Sequence, residues 1–286
     1  MKLLVFGQSG QVARELLRRC PRDVAPVFVG RDVADLSAPE QCARVIGASG
    51  AHVVINAAAY TAVDRAEGDE AGATVVNGAA PAAMARACAT LAVPLLHLST
   101  DYVFDGSGSM PFTPQHPPAP RNAYGRSKLA GEVGVRESGA RHLILRTSWV
   151  VSAHGTNFVR TMLRLGQERP ALQVVADQIG APTPAAAIAD ALYTAARALV
   201  AGHTGGTYHF AGAPDTSWAE FARVIMRAAD LACVIEDIPS SAYPTPAPRP
   251  LNSRLDCSSF LLDFNVARPD WRSALDDILL HLRDTP

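Results

Sequence analysis

Tyr124 and Lys128 stand four residues apart in the stretch NAYGRSKLAGE, which follows a loop with five prolines between residues 111 and 120. Residues four apart face the same way on a helix, so the phenol and the ammonium can share one small volume. A cation beside a phenol suits proton transfer, because it favours the phenolate form. The pair alone also fits a surface tyrosine beside a solvated lysine, so its meaning depends on the elements around it.

A glycine turn near the start of the chain indicates nucleotide binding. Gly7, Gly10 and Ala13 follow the apolar run KLLVF and open a helical pattern. Gly7 permits a tight turn, Gly10 lets backbone amides approach a pyrophosphate, and the start of a helix attracts an anion. The same spacing occurs in purely structural turns, but its position after the first strand favours the nucleotide.

The residues after the second predicted strand bear on which nucleotide binds. The stretch is FVGRDVADLS, in which Arg31 is followed directly by Asp32. A basic residue here can pair with a 2′-phosphate, and an acidic one can accept hydrogen bonds from the ribose. This mixed signal favours NADPH, with NADH also usable.

A Ser-Thr pair, Ser99 and Thr100, ends the fourth predicted strand in HLSTDYVFDG, 24 residues before Tyr124. Open α/β sheets bind their ligands at the carboxyl ends of the strands. A hydroxyl at this edge can bond to a substrate oxygen and to the Tyr124 phenol. Such a pair alone is more often a simple turn, but combined with the glycine turn and the Tyr124–Lys128 spacing it becomes a specific signal.

Short apolar runs alternate with helical stretches through the first half of the chain, and the runs are KLLVF, APVFVG, HVVINAAA, VPLLHLST and RHLILRTSWV. Continuous apolar strands separated by helices are typical of a parallel sheet covered on both faces. We therefore predict an α/β fold with a Rossmann-like, doubly wound parallel sheet over residues 1–150. Residues 151–286 are expected to form mainly a smaller C-terminal α/β lobe for the substrate, with some segments returning to the first domain.

Composition excludes several classes of protein. The 286 residues are 48% apolar and 19% charged, with a net charge of -1. Interspersed, balanced charge provides no basic stripe for nucleic acid, and no apolar run reaches the roughly 18 residues that a membrane helix needs. The first residues, MKLLVFGQSG, carry too short an apolar run for a signal peptide. We expect a cytoplasmic protein without nucleic-acid or membrane partners.

Seven segments together resemble the extended short-chain dehydrogenase/reductases, and among them the members that reduce dTDP-linked ketosugars. The segments are GQSGQVARE, VVINAAAYTAVDRAE, LSTDYVFDG, YGRSKLAGE, RTSWV, DQIGAPT and SAYPTPAPRPLNSRL. They extend from the first strand almost to the C-terminus, so the resemblance covers most of the chain. STDYVFDG and RTSWV are specific to these members, whereas Y-x-x-x-K is shared by the whole superfamily.

The resemblance implies a reaction, the NADPH-dependent reduction of the C4 ketone of dTDP-4-dehydro-β-L-rhamnose to dTDP-β-L-rhamnose. This is the last step of dTDP-L-rhamnose biosynthesis. Tyr124 would give the developing alkoxide its proton. Lys128 would lower the pKa of that phenol and bind the nicotinamide ribose, and Thr100 would orient the ketone and Tyr124.

Together with the glycine turn and Arg31, the resemblance assigns binding residues. Those for the cofactor are Gly7, Gly10, Gln11, Val12, Arg31, Asp35, Leu36, Ala57, Ala58, Ala59, Tyr124 and Lys128. Those for the dTDP-sugar are Thr100, Asp101, Tyr124, Trp149, Arg249, Asn252 and Arg254. Arginine suits a diphosphate because its planar group donates two hydrogen bonds at once. Without the resemblance, Trp149 would be interpreted as a core residue.

Some features depart from these relatives. Ala13 replaces a common third glycine, and Tyr60 follows NAAA where histidine is frequent. Some relatives bind Mg2+ at a dimer interface through glutamates; Glu15 remains here, but GAPTPAAAIAD has no glutamate. Five scattered cysteines without a C-x-x-C pair indicate reduced thiols rather than a zinc site. We expect no bound metal and mainly a monomer, with a weak homodimer as the alternative.

Two other functions stay open at this point. A different dTDP-4-ketosugar reductase or epimerase would use the same Tyr124 and Lys128. A regulatory subunit of this fold would bind a dinucleotide without turnover, against which Thr100, Tyr124 and Lys128 argue because all three are present.

Overall fold

The computed structural model describes residues 1–284, in which strands and helices alternate. The strands are β1 (Lys2–Phe6), β2 (Ala25–Val29), β3 (Val53–Asn56), β4 (Leu95–Thr100), β5 (His142–Thr147), β6 (Val150–Val151), β7 (Ala171–Val175), β8 (Ile179–Gly180), β9 (Thr183–Pro184), β10 (Gly205–His209), β11 (Thr216–Ser217) and β12 (Val234–Ile238). The α-helices are α1 (Gln11–Arg18), α2 (Pro39–Ser49), α3 (Val63–Ala66), α4 (Glu70–Thr74), α5 (Ala80–Thr90), α6 (Ala123–Glu137), α7 (Phe158–Glu168), α8 (Ala185–Val200), α9 (Trp218–Ala228), α10 (Ser258–Phe264) and α11 (Trp271–Asp284). A π-helical turn, Val75–Ala79, joins α4 to α5, and 3-10 turns lie at Asp101–Val103 and Ser240–Ala242.

A parallel sheet in the order β10-β5-β4-β3-β1-β2 forms the centre of the fold. Its inner strands are continuous apolar runs, and every residue of β3 is buried. Strands of this kind need cover on both faces. The predicted doubly wound α/β fold is confirmed, and all five strands predicted in the first half of the chain lie in this sheet.

Successive side chains of β1 point to opposite faces of the sheet, and each face has its own core. Leu3 and Val5 pack in a cluster with residues of α1 and α8. Leu4 and Phe6 pack on the other side with residues of α2 and α5. Helices that pack on both faces hold the strands rigidly, so the carboxyl ends of β1, β3, β4 and β5 are fixed relative to one another.

The chain returns to this sheet after residue 150. Strand β10 pairs with β5 at the edge of the sheet, and α8 packs on the same face as α1. A separate core cluster is built mainly from α7, β7, α9, β12 and α11. None of the helices within residues 1–284 has both the length and the apolar character to span a membrane.

Helix α6 begins in close contact with the turn that follows β4. Asn122 caps it, because its side-chain oxygen accepts a hydrogen bond of 2.8 Å from the Gly125 amide. The Asn122 amide nitrogen also donates to the Pro248 carbonyl at 2.9 Å. A Cβ added at Gly125 would lie 2.2 Å from the Tyr102 carbonyl oxygen, so only glycine allows this approach. The start of α6 is thereby tied to the end of β4 and to the C-terminal region.

Candidate active site

The glycine turn after β1 leaves room for a ligand at the start of α1. Gly7 has a φ of +112°, which is strained for a residue with a side chain, and a Cβ there would lie only 3.2 Å from the Ala57 carbonyl carbon. A Cβ at Gly10 would meet no heavy atom within 4 Å. Gly10 caps α1 without a side-chain hydrogen bond. The free amides at the start of this helix and the open space beside Gly10 fit a pyrophosphate.

Gln11 and Val12 contribute backbone to this turn, whereas their side chains hold the structure together. Gln11 Nε2 donates to the Val150 carbonyl at 3.3 Å, and its Oε1 accepts a bond of 2.9 Å from the Ser152 hydroxyl. Val12 is buried in the core. The start of α1 is therefore linked directly to the segment that follows β5.

The residues after β2 differ in accessibility. Arg31 is exposed and makes no ion pair within residues 1–284, so its guanidinium is available to a phosphate. Asp35 accepts a hydrogen bond of 2.9 Å from the Ser37 amide, and the hydrogen bonds with Ser37 lower the pKa of its carboxyl. Leu36 is buried. Gly30 lies beneath the side chains of Gln8 and Asp32, which sequence reasoning did not assign to the site.

Ala57, Ala58 and Ala59 follow β3 and lie beside the glycine turn. The Ala57 amide donates to the Phe6 carbonyl at 2.9 Å, and the Ala58 amide donates to Asn56 Oδ1 at 3.1 Å. This segment brings backbone, rather than large side chains, to the carboxyl edge of the sheet.

Tyr60, which departs from the relatives' pattern, is held through its backbone. Its amide donates to Asn77 Oδ1 at 2.8 Å, and its carbonyl accepts from Asn77 Nδ2 at 3.0 Å. Asn77 Nδ2 also donates to the Ser127 hydroxyl, which donates in turn to the Tyr124 carbonyl at 2.8 Å. Asn77 lies in the π-helical turn, a feature frequent at functional sites. No local motif marks Asn77, so sequence reasoning missed this connection to α6.

Thr100 ends β4 at the same edge of the sheet, and Asp101 begins the 3-10 turn that follows. The Thr100 hydroxyl donates to Asp101 Oδ1 at 3.0 Å. Burial raises the pKa of the Asp101 carboxyl to about 6, while the nearby Ser253 hydroxyl lowers it. Asp101 Oδ2 and the Ser253 hydroxyl are nevertheless both buried without a well-formed hydrogen bond in residues 1–284. Polar atoms of this kind at a strand end are available to a ligand.

Tyr124 and Lys128 lie on α6 beside this strand end. Burial raises the pKa of the Tyr124 phenol to about 12, the Thr100 hydroxyl opposes this rise, and Asp101 adds to it. Burial lowers the pKa of the Lys128 ammonium to about 8, against the charge of Glu132. Lys128 Nζ donates to the Leu98 carbonyl at 2.7 Å. Lys128 remains close to the end of β4 through this bond, and its lowering of the pKa of the phenol stays a prediction.

Trp149 has an unusual backbone and an aromatic partner. Its φ is +48°, in the left-handed region that costs a large side chain energy. Its ring stacks on Trp218 with the ring centres 3.6 Å apart and the planes 14° from parallel. A Cβ at Gly180 would lie 2.9 Å from the Trp149 ring, so this glycine gives the ring its space. The sequence did not indicate Trp218 as the partner.

The three predicted residues of the C-terminal region have different surroundings. Arg249 lines an open cleft of about 330 Å³ together with Tyr102, Gly106, Arg121 and Asn122, and it pairs with Asp64 at 2.7 Å. Asn252 is buried, and its amide nitrogen donates to the Ser107 and Met110 carbonyls. Arg254 donates to Asn252 Oδ1 at 3.1 Å and lies 3.5 Å from Asp215. Arg249 faces the cleft, whereas the side chains of Asn252 and Arg254 bond mainly within the protein.

Glu15, the carboxylate considered for a metal, is already paired. Arg18 Nε donates to Glu15 Oε2 at 2.8 Å, and Asp190 of α8 pairs with Arg19. Within residues 1–284, no group of three or more His, Cys, Asp or Glu side chains has the geometry to hold a metal ion.

A doubly wound parallel sheet with a glycine turn at β1 and a Tyr-Lys pair beside the end of β4 defines the class of extended short-chain dehydrogenase/reductases. Residues 1–283 match the family described as the RmlD substrate binding domain, and the chain belongs to this family.

Its relatives agree along the whole chain. The chain is 49% identical to the dTDP-4-dehydrorhamnose reductase of Burkholderia thailandensis over 288 residues, which cover 96% of this chain and 97% of that one. The crystal structure of a dTDP-4-dehydrorhamnose reductase from Clostridium acetobutylicum matches with a TM-score of 0.93 at 30% identity, covering 99% and 100% of the two chains. The enzyme of that name from Bacillus anthracis, in complex with NADP, matches with a TM-score of 0.91 at 32% identity, covering 98% and 99%.

Proposed function

We propose that this chain is an NADPH-dependent reductase that converts dTDP-4-dehydro-β-L-rhamnose to dTDP-β-L-rhamnose. The observation that carries the proposal is the grouping of Thr100, Tyr124 and Lys128 at the end of β4, on the same edge of the parallel sheet as the glycine turn after β1. Full-length relatives named as dTDP-4-dehydrorhamnose reductases, one of them in complex with NADP, support the sugar and the cofactor.

Each residue of the group has a distinct task. When bound, the reduced nicotinamide supplies the hydride to C4 of the sugar. Tyr124 is protonated at neutral pH, since its pKa is about 12, and its phenol can therefore donate a proton to the oxygen at C4. Thr100 orients this phenol and the ketone. Lys128 is mostly charged at neutral pH, and its ammonium stabilises the phenolate that remains.

The remaining assigned residues divide between the two ligands. The amides at Gly10, Gln11 and Val12 bind the pyrophosphate of NADPH, and Arg31 pairs with the 2′-phosphate. Asp35, Leu36 and the segment 57–59 enclose the rest of the nucleotide, since they follow β2 and β3, the two strands that flank β1 in the sheet. NADH lacks the phosphate that Arg31 would bind, so it is the weaker cofactor.

On the sugar side, Trp149 and Asp101 contact the hexose and Arg249 contacts the diphosphate. Arg249 supports this assignment because it faces an open cleft, with Arg121 on the same lining. Asn252 and Arg254 act indirectly, by holding the segment that carries Arg249. In this proposal the strand ends of residues 1–150 bind the cofactor, while Asp101, Trp149 and the later residues bind the sugar nucleotide. All five cysteines are free thiols, which supports a reducing compartment such as the cytoplasm.

A coupled assay tests the function. dTDP-glucose is converted by an upstream dehydratase and epimerase, the purified chain and NADPH are added, and the product is identified by NMR. We expect NADPH oxidation and dTDP-L-rhamnose. A product with the other configuration at C4 would indicate a different ketosugar reductase, and a change at another carbon an epimerase. Dinucleotide binding without turnover of any dTDP-ketosugar would indicate a regulatory subunit.

A further inference from the structure

Glu132 lies on the same face of α6 as Tyr124 and Lys128, because the three residues are spaced by four. Its side chain has no exposed surface, although carboxylates are almost never fully buried unless they are paired. The mechanism above gives it no task. Its burial directly beside the reacting pair therefore calls for a role.

Two contacts join this face of α6 to the end of β4. The Ser99 hydroxyl donates to Glu132 Oε1 at 2.6 Å, and Lys128 Nζ donates to the Leu98 carbonyl at 2.7 Å. Leu98 and Ser99 directly precede Thr100. The helix that carries Tyr124 is thus attached to the strand immediately before the residue that orients its phenol.

Arg146 of β5 clamps the Glu132 carboxylate. Ser99 and Arg146 are direct neighbours across β4 and β5. Arg146 Nε donates to Glu132 Oε1 at 2.8 Å and Nη2 donates to Oε2 at 2.6 Å, a two-point geometry that fixes the orientation of the carboxylate. Arg146 Nη1 also donates to the Pro114 carbonyl at 3.2 Å, in the proline-rich loop. One ion pair therefore connects α6, β4, β5 and this loop.

We propose that Glu132 is a positioning residue for the reduction: held by Arg146, it fixes α6 against the end of β4, so that Tyr124 and Lys128 stay beside Thr100. The expected effect of Glu132 on turnover rests on the proposed function. Glu132 also provides a negative charge next to Lys128, and this charge opposes the burial that lowers the pKa of the ammonium.

The ionisable groups around Lys128 and Glu132 come from each element packed against them: Arg136 and Tyr124 on α6, His97 on β4, Asp101 after β4, Arg146 on β5 and His209 on β10. Burial lowers the pKa of His209 to about 3, and it also lowers the pKa of His97, so both imidazoles are neutral near pH 7. Glu132 is then the one anion that Lys128 meets on its own helix face. Removing its charge should leave Lys128 easier to deprotonate.

The effect of Glu132 on the titration of Lys128 can be measured directly, because Lys2 and Lys128 are the only two lysines in the sequence. In protein labelled with 13C at lysine Cε, Lys128 gives one of two NMR signals, and the variant Lys2→Arg identifies it. We expect Glu132→Gln to shift the Lys128 titration to lower pH. No substrate is needed, so this test does not depend on the proposed function. If the single variant does not fold, Glu132→Gln combined with Arg146→Met leaves no buried guanidinium unpaired. Because this double variant loses a cation together with the anion, we expect a smaller shift in the same direction.

Glu70→Gln is the matched control. Glu70 accepts two hydrogen bonds of 2.7 Å from Arg126, also on α6, but this pair is exposed and does not reach β4. We expect its turnover and its Lys128 titration to equal those of the unchanged chain.

Ser99→Ala tests the attachment while leaving the ion pair intact. The variant should fold, and its affinity for NADPH and its KM for the sugar should stay within about twofold of those of the unchanged chain. Its kcat should fall roughly tenfold, because small misplacements of reacting groups slow the reaction. Normal kcat in Ser99→Ala, or an unshifted Lys128 titration in the folded Glu132 variant, would overturn the proposal. If the unchanged chain has no turnover, the proposed function fails and the titration alone decides whether Glu132 acts on Lys128.

Discussion

The cofactor side of the site is formed mainly by backbone, whereas the sugar side is formed mainly by side chains. The cofactor side consists of backbone at the ends of β1 and β3. Gly7 there is crowded by the Ala57 backbone, and Gly10 leaves open space because it has no side chain. The sugar side consists of side chains from segments far apart in the sequence, such as Arg249 paired with Asp64 and Trp149 stacked on Trp218. The fold itself therefore shapes the first, whereas specific pairs of side chains shape the second.

This difference separates the expected effects of substitutions. On the cofactor side, a change at a crowded backbone position such as Gly7 should alter stability and NADPH affinity together, whereas a change at Gly10 or Arg31 should alter the affinity alone. Changes on the sugar side should alter KM for the sugar nucleotide without altering NADPH affinity. Changes at Tyr124 and Lys128, which lie between the two sides, should affect turnover more than binding.

The largest effect is expected for Tyr124→Phe, which removes the proton-donating hydroxyl and keeps the aromatic ring. kcat should fall by about 10²-fold or more, the usual contribution of a general acid. NADPH affinity, followed by fluorescence titration, should change little. Near-normal turnover of the purified variant would show that Tyr124 is not the acid.

Gly7→Ala should produce the next largest effect. The φ of +112° and the close Ala57 backbone predict a loss of about 1–3 kcal/mol in the free energy of unfolding, measured with urea in the absence of ligand. Gly10→Ala is the matched control, because its Cβ meets no protein atom. It should leave stability unchanged and weaken NADPH binding. Equal stability losses in both variants would remove the distinction between them.

Arg31→Ala tests how the cofactor side distinguishes NADPH from NADH. If the guanidinium pairs with the 2′-phosphate, the variant should bind NADPH more weakly by about 1–2 kcal/mol, as for an accessible charged hydrogen bond. NADH binding should be nearly unaffected. Equal losses for both cofactors would mean that Arg31 does not recognise the phosphate.

Arg249→Ala addresses the sugar side. Its ion pair with Asp64 is partly exposed and contributes little to stability, so the melting temperature should stay close to that of the unchanged chain. KM for the sugar nucleotide should rise roughly fivefold while NADPH affinity is retained. Arg254→Ala should instead lower the melting temperature, since Arg254 bonds to Asn252 and lies against Asp215. A lower melting temperature in Arg249→Ala, with a raised KM in Arg254→Ala, would show that Arg254 contacts the sugar nucleotide and Arg249 holds the segment.

Chelation should have the smallest effect. Glu15 and Asp190 are each paired with an arginine, which leaves a divalent ion few oxygen ligands. We expect activity and molecular mass to be unchanged by EDTA, with mainly monomer at micromolar concentration. Light scattering that detects a dimer which dissociates with EDTA and reforms with Mg2+ would contradict this.

The sequence predicts the features that depend on neighbouring residues. The strands β1 to β5 are visible as apolar runs, and the Tyr124–Lys128 spacing lies within one helix. Strand β10 pairs with β5 although it begins with two glycines and carries no long apolar run. Its place in the sheet depends on the tertiary fold rather than on a local pattern.

Pairs between distant residues could not be predicted from the sequence either, because they too depend on the tertiary fold. Trp149 and Trp218 are 69 residues apart, and Glu132 and Arg146 come from different elements. The ion pair of Arg254 also depends on Asp215, which no local motif connects to it. Arginines of one short stretch, Arg249 and Arg254, can therefore share a predicted role and still have different surroundings.

The stacking of Trp149 on Trp218 has an optical consequence. Two indole rings whose centres are 3.6 Å apart couple their electronic transitions, which produces a paired positive and negative band in circular dichroism. Trp271, the third tryptophan, is buried against Phe221 and lacks an indole partner within residues 1–284. The paired band therefore reports on one wall of the site alone. A sugar nucleotide that reorients Trp149 would change it without any label.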